Sequence, residues 1–289
     1  AVWSEAMTND PAPGLVLEGD AIDQALTAMG DFADLVSPYL FGHSPSVAEL
    51  AAAAGRLCDL PEDEQRALRR SALVHDLGRV AVPARAWATP GPLSPGDWES
   101  FRLHAYQTER ILSRSEFLRR LARTASLHHE RLDGSGYHRG CAAADLPLSA
   151  RILAAADRYR TLIEPRAHRA AHPPEQAAVK LAAEAREGLF DTNAVAAVVE
   201  GAGLKRPRLD HPAGLSPRER AVVGLLARGL QTKQIARVLG VSPKTAYTHI
   251  QHAYRKIGVS TRAGAALYAS QHGLVASGEL PMAPGSGHS

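Results

Sequence analysis

The sequence predicts an all-α protein with two helical domains, and three observations support that prediction. The chain is 45% hydrophobic but only 5% aromatic, with alanine and leucine dominant and strand-favouring runs of Val, Ile and Thr scarce. Apolar residues recur at three- and four-residue spacing along most of its length. A length of 289 residues suffices for two domains with separate cores.

Charge separates the two domains. Residues 1–204 carry six more acidic than basic side chains, whereas residues 205–289 carry nine more basic than acidic ones. A basic segment at the end of an acidic chain predicts that nucleic acid binds at that end alone.

The domain boundaries follow from the same patterns. We predict an irregular N-terminus over residues 1–19 and a first helical domain over residues 20–204. A linker over residues 205–214 leads to a second helical domain over residues 215–275, and residues 276–289 form a disordered tail. The apolar spacing predicts helices over residues 21–37, 46–58, 62–79, 95–113, 116–129, 149–163, 175–187, 192–200, 231–239, 243–257 and 261–271. A capping box at Ser216 predicts one further helix, and the Gly- and Pro-rich segments 80–93 and 131–148 are predicted loops.

Composition excludes two classes of protein. Two cysteines outside any C-x-x-C pair are too few for a disulfide framework. No apolar run approaches the roughly 20 residues that a membrane-spanning helix needs. We therefore expect a cytoplasmic protein with no membrane partner.

The most informative stretch is the run from His128 to Tyr137, which places two adjacent imidazoles beside a carboxylate and a glycine-rich turn. The first domain contains seven candidate metal ligands in all: His43, His75, Asp76, His104, His128, His129 and Asp157. Imidazoles and carboxylates without a thiolate favour a catalytic pair of Fe, Mn or Zn ions over a closed structural zinc. The adjacent pairs are the stronger signal, since an isolated histidine such as His43 or His104 is more often a surface or satisfied core residue.

Seven ligands exceed what one ion usually takes from a protein, and two divalent ions that share Asp76 as a bridge would account for the number. Such a pair stabilises both the attacking and the leaving oxygen of an in-line phosphoryl displacement. The ligands fall on separate predicted helices, so a helical bundle would bring them together in its core. The remaining histidines of this region, His138, His168 and His172, are expected to face solvent.

Residues 36–170 resemble an HD-GYP domain, a branch of the HD phosphohydrolase superfamily. The matching motifs are Gly42-His43-Ser44, Val74-His75-Asp76-Leu77-Gly78-Arg79, His104, the run 128–137 and Ala156-Asp157. The resemblance implies an HD-type helical bundle with a two- or three-metal site, and characterised members hydrolyse cyclic di-GMP. It also implies that one metal is held by His43, His75, Asp76 and Asp157, and the other by Asp76, His104, His128 and His129.

The chain departs from the family pattern at several positions. Arg79 replaces a lysine, lies one turn along the predicted helix from the His-Asp pair, and can clamp a phosphate with its planar guanidinium. His138 replaces the proline after Gly-Tyr, and Arg160 replaces an acid three positions after Asp157. Tyr39 stands where three-metal members carry glutamate, which favours two metals.

The motifs also assign candidate roles within the site. Asp76 and Arg79 are the candidate catalytic residues, and the candidate substrate-binding residues are Arg79, Asp133, Gly136 and Tyr137. Gly134 and Gly136 either shape a loop beside the site or supply a turn that needs positive φ. Tyr137 either stacks on a base or packs beneath the loop.

The second domain fits a helix-turn-helix. The turn Leu239-Gly240-Val241 separates its second and third predicted helices, and Ser242-Pro243 begins the candidate recognition helix. Ala246, Ile250, Ala253 and Ile257 would face the core, which leaves the polar residues of this helix facing outward. The N-terminal part of such a helix meets base edges in the major groove.

Residues 215–274 resemble a LuxR-type helix-turn-helix, through motifs that include Leu215-Ser216-Pro217-Arg218-Glu219, Lys233-Gln234-Ile235-Ala236, Val241-Ser242-Pro243-Lys244-Thr245 and Arg255-Lys256-Ile257-Gly258-Val259. The resemblance implies a four-helix DNA-binding domain that contacts DNA through Lys244, Thr245, Tyr247, Thr248, Gln251 and Arg255. By position, Tyr247, Thr248 and Gln251 would reach bases, whereas Lys244 and Arg255 would meet phosphates. Paired half-sites would make the protein a homodimer. The alternative is a protein-interaction module whose basic face is merely solvated.

Three functions remain open at this point. In the first, the chain is a transcriptional regulator whose metal domain hydrolyses or binds a cyclic dinucleotide such as cyclic di-GMP, and nucleotide occupancy shifts the monomer–dimer balance or releases the DNA-binding domain. In the second, the metal domain is a catalytically inactive ligand sensor. In the third, the metal site is structural and the domain serves dimerisation, although the full ligand set argues against this function.

Overall fold

The structure, a computed structural model, confirms the all-α prediction. It describes residues 16–83, 86–87, 94–167, 169–207, 215, 217–272 and 274. Over these ranges the chain is helical, and extended pairing is limited to isolated bridges between Asp133 and Ala142 and between Arg166 and Arg169. None of the described helices has both the length and the apolar character needed to cross a membrane. Most of the predicted N-terminal segment and linker, the predicted tail, Ser216 and His168 lie outside the described residues.

The α-helices of the first domain are α1 (Asp20–Asp34), α2 (His43–Leu57), α3 (Glu62–Leu73), α4 (Pro95–Arg102), α5 (His104–Leu112), α6 (Glu116–Ser126), α7 (Leu148–Ile163), α8 (Pro174–Arg186) and α9 (Thr192–Gly201). Short 3₁₀ helices span Pro38–Leu40, Leu77–Ala81 and Ala143–Asp145. The second domain comprises α10 (Pro217–Ala227), α11 (Thr232–Leu239), α12 (Pro243–Ile257) and α13 (Arg262–Gln271).

Two predicted helices are interrupted in the structure. The helix predicted over 62–79 ends at Leu73, and a 3₁₀ helix begins at Leu77, so Arg79 does not lie one α-helical turn beyond His75 as predicted. The helix predicted over 95–113 is divided at Leu103 into α4 and α5. Apolar spacing continues through both breaks, so periodicity alone does not locate them.

The core of the first domain surrounds α2 and α7. Helix α2 packs against α1, α3, α7 and α9, and α7 also packs against α8 and α9. Alanines on the buried faces let these helices approach closely, while leucines such as Leu68, Leu73 and Leu153 fill the remaining space. This packing fixes in place the two helices that carry His43 and Asp157.

A close backbone approach joins the 3₁₀ helix Leu77–Ala81 to α5. A Cβ added at Gly78 would lie 1.9 Å from the carbonyl oxygen of His104, so only glycine fits there. The backbone N–H of Gly78 donates to Thr108 Oγ1 (2.9 Å), and that hydroxyl donates to the carbonyl oxygen of His75 (2.9 Å). These bonds hold the turn that carries His75 against the start of α5, where His104 lies.

In the second domain, α10 packs against α12 and α13, and α11 packs against α12. Gly240 ends α11 with a φ of 64°, and the Ser242 side chain accepts a hydrogen bond from Thr245 N (3.1 Å) at the start of α12. The predicted helix-turn-helix is therefore present, with the glycine, the N-cap serine and the first-turn proline in the roles predicted from the sequence.

The two domains meet at a cleft of about 720 Å³. Leu132 and Asp191 line it on the side of the first domain, and Arg220 and His272 line it on the side of the second. The second domain therefore lies beside the loop that carries the glycine-rich motif.

Candidate metal centre

Seven side chains meet in one cage inside the first domain. They are His43 at the start of α2, His75 and Asp76 in the turn after α3, His104 at the start of α5, His128 and His129 in the turn after α6, and Asp157 within α7. All are buried except His129, whose side chain is 15% exposed. The structure thus brings together all seven predicted ligands, although four of them lie in turns just beyond helix ends rather than on the predicted helices.

The ligand atoms fall into two groups, one formed by His43, His75, Asp76 and Asp157 and the other by His104, His128 and His129. Within each group the atoms lie within 4.8 Å of one another. Two compact groups of nitrogen and oxygen donors are what two neighbouring cation sites require.

Asp76 lies between the two groups. Its Oδ2 is 2.8 Å from His75 Nε2 and 3.5 Å from His43 Nε2. Its Oδ1 is 3.3 Å from His128 Nε2 and 3.4 Å from His104 Nε2. The two oxygens of one carboxylate therefore face different imidazole groups, which is the arrangement of a bridging ligand.

Asp157 also reaches both groups. Its Oδ1 lies 3.2 Å from His43 Nε2 and 3.8 Å from His75 Nε2, and its Oδ2 lies 3.8 Å from His129 Nδ1. Asp157 of α7 thereby connects His129, in the turn after α6, to His43 at the start of α2.

Hydrogen bonds behind the rings orient three of the imidazoles. In His75, His104 and His128, Nδ1 donates to the carbonyl oxygen of the residue three positions earlier, at 2.7, 2.5 and 2.7 Å respectively. These bonds through Nδ1 direct the Nε2 atom of each ring toward Asp76. Among the described residues, well-formed hydrogen bonds are absent at four buried atoms of the cage, namely His75 Nε2, His129 Nε2 and both carboxylate oxygens of Asp76. Buried atoms without well-formed hydrogen bonds fit a site for cations.

Two further carboxylates position His43. Glu164, the residue that follows α7, accepts a hydrogen bond from His43 Nδ1 with its Oε2 (2.7 Å). Asp34, at the end of α1, accepts from Ser44 N (2.7 Å) and from Ser44 Oγ (2.9 Å), which fixes the first turn of α2.

Neither of these carboxylates is among the predicted site residues. Glu164 does carry a signal, because it lies seven residues after Asp157 and so falls on the same helical face. Asp34 carries none, because its contact with Ser44 depends on how α1 packs against α2.

Electrostatics distinguish the ligands of the cage. Burial alone would raise the pKa values of Asp76 and Asp157, but cationic neighbours and the surrounding imidazoles hold both pKa values well below the usual range. Burial would lower the pKa of His75, yet Asp76 and Asp157 raise it to about 10. Burial lowers the pKa of His128 to about 4 and holds the pKa of His129 well below its ordinary value. His128 and His129 are therefore neutral at pH 7, as metal ligation requires.

Arg79 reaches the cage from its 3₁₀ helix. Its Nη2 lies 2.5 Å from Asp76 Oδ2 and 3.5 Å from His43 Nε2. The side chain is 5% exposed, and its Nε and Nη1 have no hydrogen-bond partner in the part of the chain that the structure describes. A buried guanidinium with unused donors is suited to an anion such as a phosphate oxygen.

The glycine-rich loop is held by the buried side chain of Glu130. Its Oε1 accepts from Arg139 N (2.7 Å) and its Oε2 accepts from Cys141 N (2.9 Å). Gly134 has a φ of +80° and supplies a turn, whereas a Cβ added at Gly136 would lie 2.4 Å from Glu130 Cα. The two glycines thus meet different requirements, one conformational and one steric.

Two predicted substrate-binding residues of this loop contact neighbouring residues of the chain. Tyr137 packs against His129 with ring centres 4.7 Å apart, as in the packing alternative. Asp133 is exposed, and its Oδ1 accepts from the N and the Oγ of Ser135 (3.0 and 2.7 Å). The Asp133 carboxylate therefore stabilises its own turn.

His138 does not face solvent as predicted. Its side chain is only 14% exposed, its Nε2 lies 3.6 Å from Glu109 Oε2, and its ring packs near that of Tyr106. The prediction is wrong because the loop folds back onto α5, a contact that local composition does not reveal. His172 is partly exposed.

Helix α12 presents a polar face to solvent. Its exposed residues include Lys244, Thr245, Tyr247, Thr248, Gln251 and Arg255. Ala246, Ile250 and Ala253 are buried in the core of the second domain, and Ile257 packs against that core. The predicted core and outer faces of this helix match the structure.

The structure thus combines a helical bundle, which holds a cage of imidazoles and carboxylates, with a helix-turn-helix. The chain belongs to the HD domain family, which it matches over residues 27–194. Residues 213–269 match a second family, the bacterial regulatory proteins of the luxR family. HD phosphohydrolases depend on metal ions, and the cage provides ligands of the kind that they need.

Several proteins of known function are similar to the first domain. A 3′3′-cGAMP-specific phosphodiesterase 3 from Vibrio cholerae serotype O1 is 37% identical over 163 residues, which are 56% of this chain and 35% of that protein. A cyclic di-GMP phosphodiesterase response regulator from Xanthomonas campestris pv. campestris is 33% identical over 165 residues, which are 55% of this chain and 43% of that protein. The chain therefore spans less than half the length of these relatives.

Among solved structures, an HDG"Y"P protein from Bdellovibrio bacteriovorus has the same fold. Its TM-score is 0.50 at 16% sequence identity, over 69% of this chain and 67% of that one. At this level of identity the similarity concerns the fold alone.

Proposed function

We propose that the first domain is a two-metal phosphodiesterase for a cyclic dinucleotide, and that its state controls DNA binding by the second domain. The observation that carries the proposal is the position of Asp76, whose two oxygens face separate imidazole groups. The named activities of the relatives, which are cGAMP-specific and cyclic di-GMP phosphodiesterases, support the substrate class.

The residues of the cage fit a pair of divalent ions. His43, His75, Asp76 and Asp157 would hold one ion, and Asp76, His104, His128 and His129 would hold the other. A donor set of imidazole nitrogens and carboxylate oxygens suits Fe, Mn or Zn. When bound, such ions polarise a phosphoryl group and stabilise the charge on its attacking and leaving oxygens.

Arg79 would bind the phosphodiester directly. Its Nε and Nη1 have no hydrogen-bond partner among the described residues, although Nη1 lies 3.9 Å from Asp34 Oδ1, so both could donate to a phosphate oxygen while Nη2 stays beside Asp76. The guanidinium remains charged, so it neutralises the substrate rather than transferring a proton. Arg166, which donates to Glu164 Oε2 (3.0 Å) and to the carbonyl oxygen of Tyr39 (2.9 Å), adds a second positive charge within electrostatic range of Asp157.

A catalytically inactive ligand sensor is the second candidate, and the geometry of Arg79 is the observation that favours it. The guanidinium lies 2.5 Å from Asp76 and 3.5 Å from His43, beside two atoms that would bind a cation. An arginine there also has no proton to give to a leaving group at neutral pH.

Metal content and turnover of the purified chain distinguish these candidates. Protein loaded with Mn, Fe or Zn is incubated with a panel of cyclic dinucleotides, and linear products are measured. We expect both sites to be filled and at least one dinucleotide to be hydrolysed. Asp76→Asn should lose metal and turnover, whereas Asp63→Asn, at an exposed position of α3, should retain both. If both metal sites are filled and no dinucleotide is hydrolysed, the phosphodiesterase proposal is refuted and the inactive ligand sensor is favoured.

We further propose that the second domain binds double-stranded DNA as part of a homodimer, in the cytoplasm where bacterial DNA lies. The match to the luxR family and the exposed polar face of α12 support DNA binding. Modules of the helix-turn-helix class bind paired half-sites as dimers. Sedimentation of the protein with and without a duplex tests the dimer, and a one-to-one complex with a single half-site would contradict it.

A further inference from the structure

An aromatic surface lies beside the second imidazole group. It consists of Trp87, Trp98, Phe101 and Tyr137. The chain is only 5% aromatic and contains three tryptophans, two of which are here. None of these four side chains is a predicted ligand, and only Tyr137 is a predicted substrate contact.

The surface extends outward from the cage in two layers. The first layer touches the ligands, since the Phe101 and His104 ring centres are 5.4 Å apart and the Tyr137 and His129 ring centres are 4.7 Å apart. Trp98 forms the second layer, because its ring centre lies 5.5 Å from Phe101 and 6.4 Å from Tyr137. Its indole is therefore separated from the cage by a single ring.

Phe101 covers one face of the Trp98 indole, and the side chain remains partly open to solvent. The rings of Trp98 and Phe101 are stacked with an angle of 10° between their planes, so Phe101 backs one face of the indole. Trp98 is nevertheless 45% exposed, and α4, on which it lies, has no fully buried residue. A tryptophan that anchored this helix to the core would be buried, so packing does not explain its position.

Unpaired polar groups border the same surface. Trp87 Nε1 is buried and has no hydrogen-bond partner among the described residues, and the Arg79 guanidinium carbon lies 5.3 Å from the Trp87 ring centre. The Arg102 guanidinium, which also lies 3.6 Å from Glu99 Oε1, is 5.4 Å from the Tyr137 ring centre. Unused donors next to an exposed aromatic face match a ligand that is anionic at one end and aromatic at the other.

We propose that Trp98, supported by Phe101, is the stacking site for one nucleobase of the substrate and thus determines its specificity. This inference rests on the proposed phosphodiesterase function. It requires that a phosphate of the substrate binds at the cage, because the base joined to the neighbouring sugar would then lie near Trp98. Stacking strength increases with the area of the base, so a purine should be preferred to a pyrimidine.

The test compares Trp98→Ala and Trp98→Phe with the full-length, metal-loaded protein. Phe32→Ala, at an exposed aromatic residue of α1, is the control. Each variant is assayed with the cyclic purine dinucleotide that the unmodified protein hydrolyses and with a cyclic ribose-phosphate dimer that lacks bases. Binding is followed in parallel through quenching of tryptophan fluorescence, and metal content verifies that each cage is intact.

We expect Trp98→Ala to raise the KM of the purine dinucleotide roughly 5- to 150-fold, the range measured for one base stack, with kcat unchanged. Trp98→Phe should recover most of that loss, and the base-free dimer should be unaffected by either change. An equal loss on the base-free dimer, or no change on the dinucleotide, would overturn the stacking site while leaving the phosphodiesterase intact. If the unmodified protein binds the dinucleotide without hydrolysing it, the phosphodiesterase proposal is refuted. The stacking site is then tested by whether the fluorescence quenching is lost in Trp98→Ala. If it binds none, both proposals fall.

Discussion

At the scale of single residues, carboxylates do most to organise the metal cage. Asp76 and Asp157 reach both imidazole groups, and Glu164 holds His43 from outside. A carboxylate that accepts the second ring N–H of a ligand histidine fixes the orientation of the ring and raises its basicity. Such an outer carboxylate should therefore influence metal affinity almost as much as a ligand does.

Glu164→Gln tests this expectation. The amide still fits but is a weaker acceptor for His43 Nδ1, so we expect metal affinity to fall by roughly 10- to 100-fold. Competition with a chelator measures the affinity. Glu49→Gln, which removes an exposed carboxylate that pairs with Arg69 (2.8 Å), is the control and should bind metal normally. Equal affinities in the two variants would show that Glu164 has no positioning role.

Gly136→Ala should displace the loop that follows His129. A Cβ at this position would lie 2.4 Å from Glu130 Cα and 2.6 Å from the carbonyl oxygen of His129, and both are backbone atoms that cannot rotate away. We expect a loss of stability of about 1–3 kcal/mol, together with loss of metal from the second group before the first. Thermal unfolding and metal content measure the two effects.

Gly96→Ala provides the matched control, because a Cβ there meets nothing within 4 Å. This variant should be neutral or slightly stabilising, as alanine is favoured over glycine within a helix. If Gly136→Ala behaved in the same way, the steric explanation of the glycine-rich motif would be wrong.

The adjacent residues of the cage could be identified as candidate ligands from the sequence because their chemistry is local. An imidazole pair at His128-His129 or a His-Asp pair is unusual enough to indicate metal binding on its own. The positioning residues could not be predicted in the same way. Asp34 and Glu164 act through contacts between different helices. The position of Trp98 becomes informative only from its stacking on Phe101 and from the nearby cage.

At the scale of elements, the break between α3 and the 3₁₀ helix is what makes the cage possible. A continuous helix through residues 62–79 would carry His75 past the start of α5, whereas the observed turn keeps it beside His104. Just after the break, Gly78 lies in the 3₁₀ helix at the close backbone approach to α5. Periodicity predicted that these helices exist but not where they end, since helix ends here are set by contacts with other helices.

Helix α12 permits a test that separates affinity from specificity. Lys244 and Gln251 are both exposed on it, the first near its N-terminus and the second two turns later. We expect Lys244→Ala to weaken duplex binding to a similar degree on all sequences and to lower its salt dependence, because phosphate contacts carry no sequence information. Gln251→Ala should weaken binding by about 1–3 kcal/mol on the preferred sequence only.

Fluorescence anisotropy with a preferred and a scrambled duplex, at two salt concentrations, measures both effects. Thr232→Ala, on α11 rather than α12, controls for general damage to the domain. Unchanged binding in both α12 variants would refute α12 as the recognition helix.

At the scale of the whole molecule, a short path of contacts connects the cage to the second domain. Two residues beyond His129, the Arg131 guanidinium lies 4.3 Å from the centre of the Phe190 ring. Leu132 N donates to the carbonyl oxygen of Leu189 (3.1 Å). Phe190 lines the cleft between the domains, opposite Arg220 of α10. The division into two domains was predictable from charge, but this path was not, because it depends on how the domains pack.

If this path transmits ligand binding, the affinities for nucleotide and for DNA must depend on each other. By linkage, the factor by which a cyclic dinucleotide changes the Kd of the duplex equals the factor by which the duplex changes the Kd of the dinucleotide. We expect a factor of about 5–150, measured by titrating metal-loaded protein in both orders.

Arg220→Ala should bring that factor close to one with little effect on either affinity alone, because Arg220 lies in the cleft and outside both sites. Arg218→Ala, on the exposed side of the same helix, should leave the factor unchanged. Unequal factors in the two titrations would mean that equilibrium was not reached, and a factor of one in the unmodified protein would show that the two domains act independently.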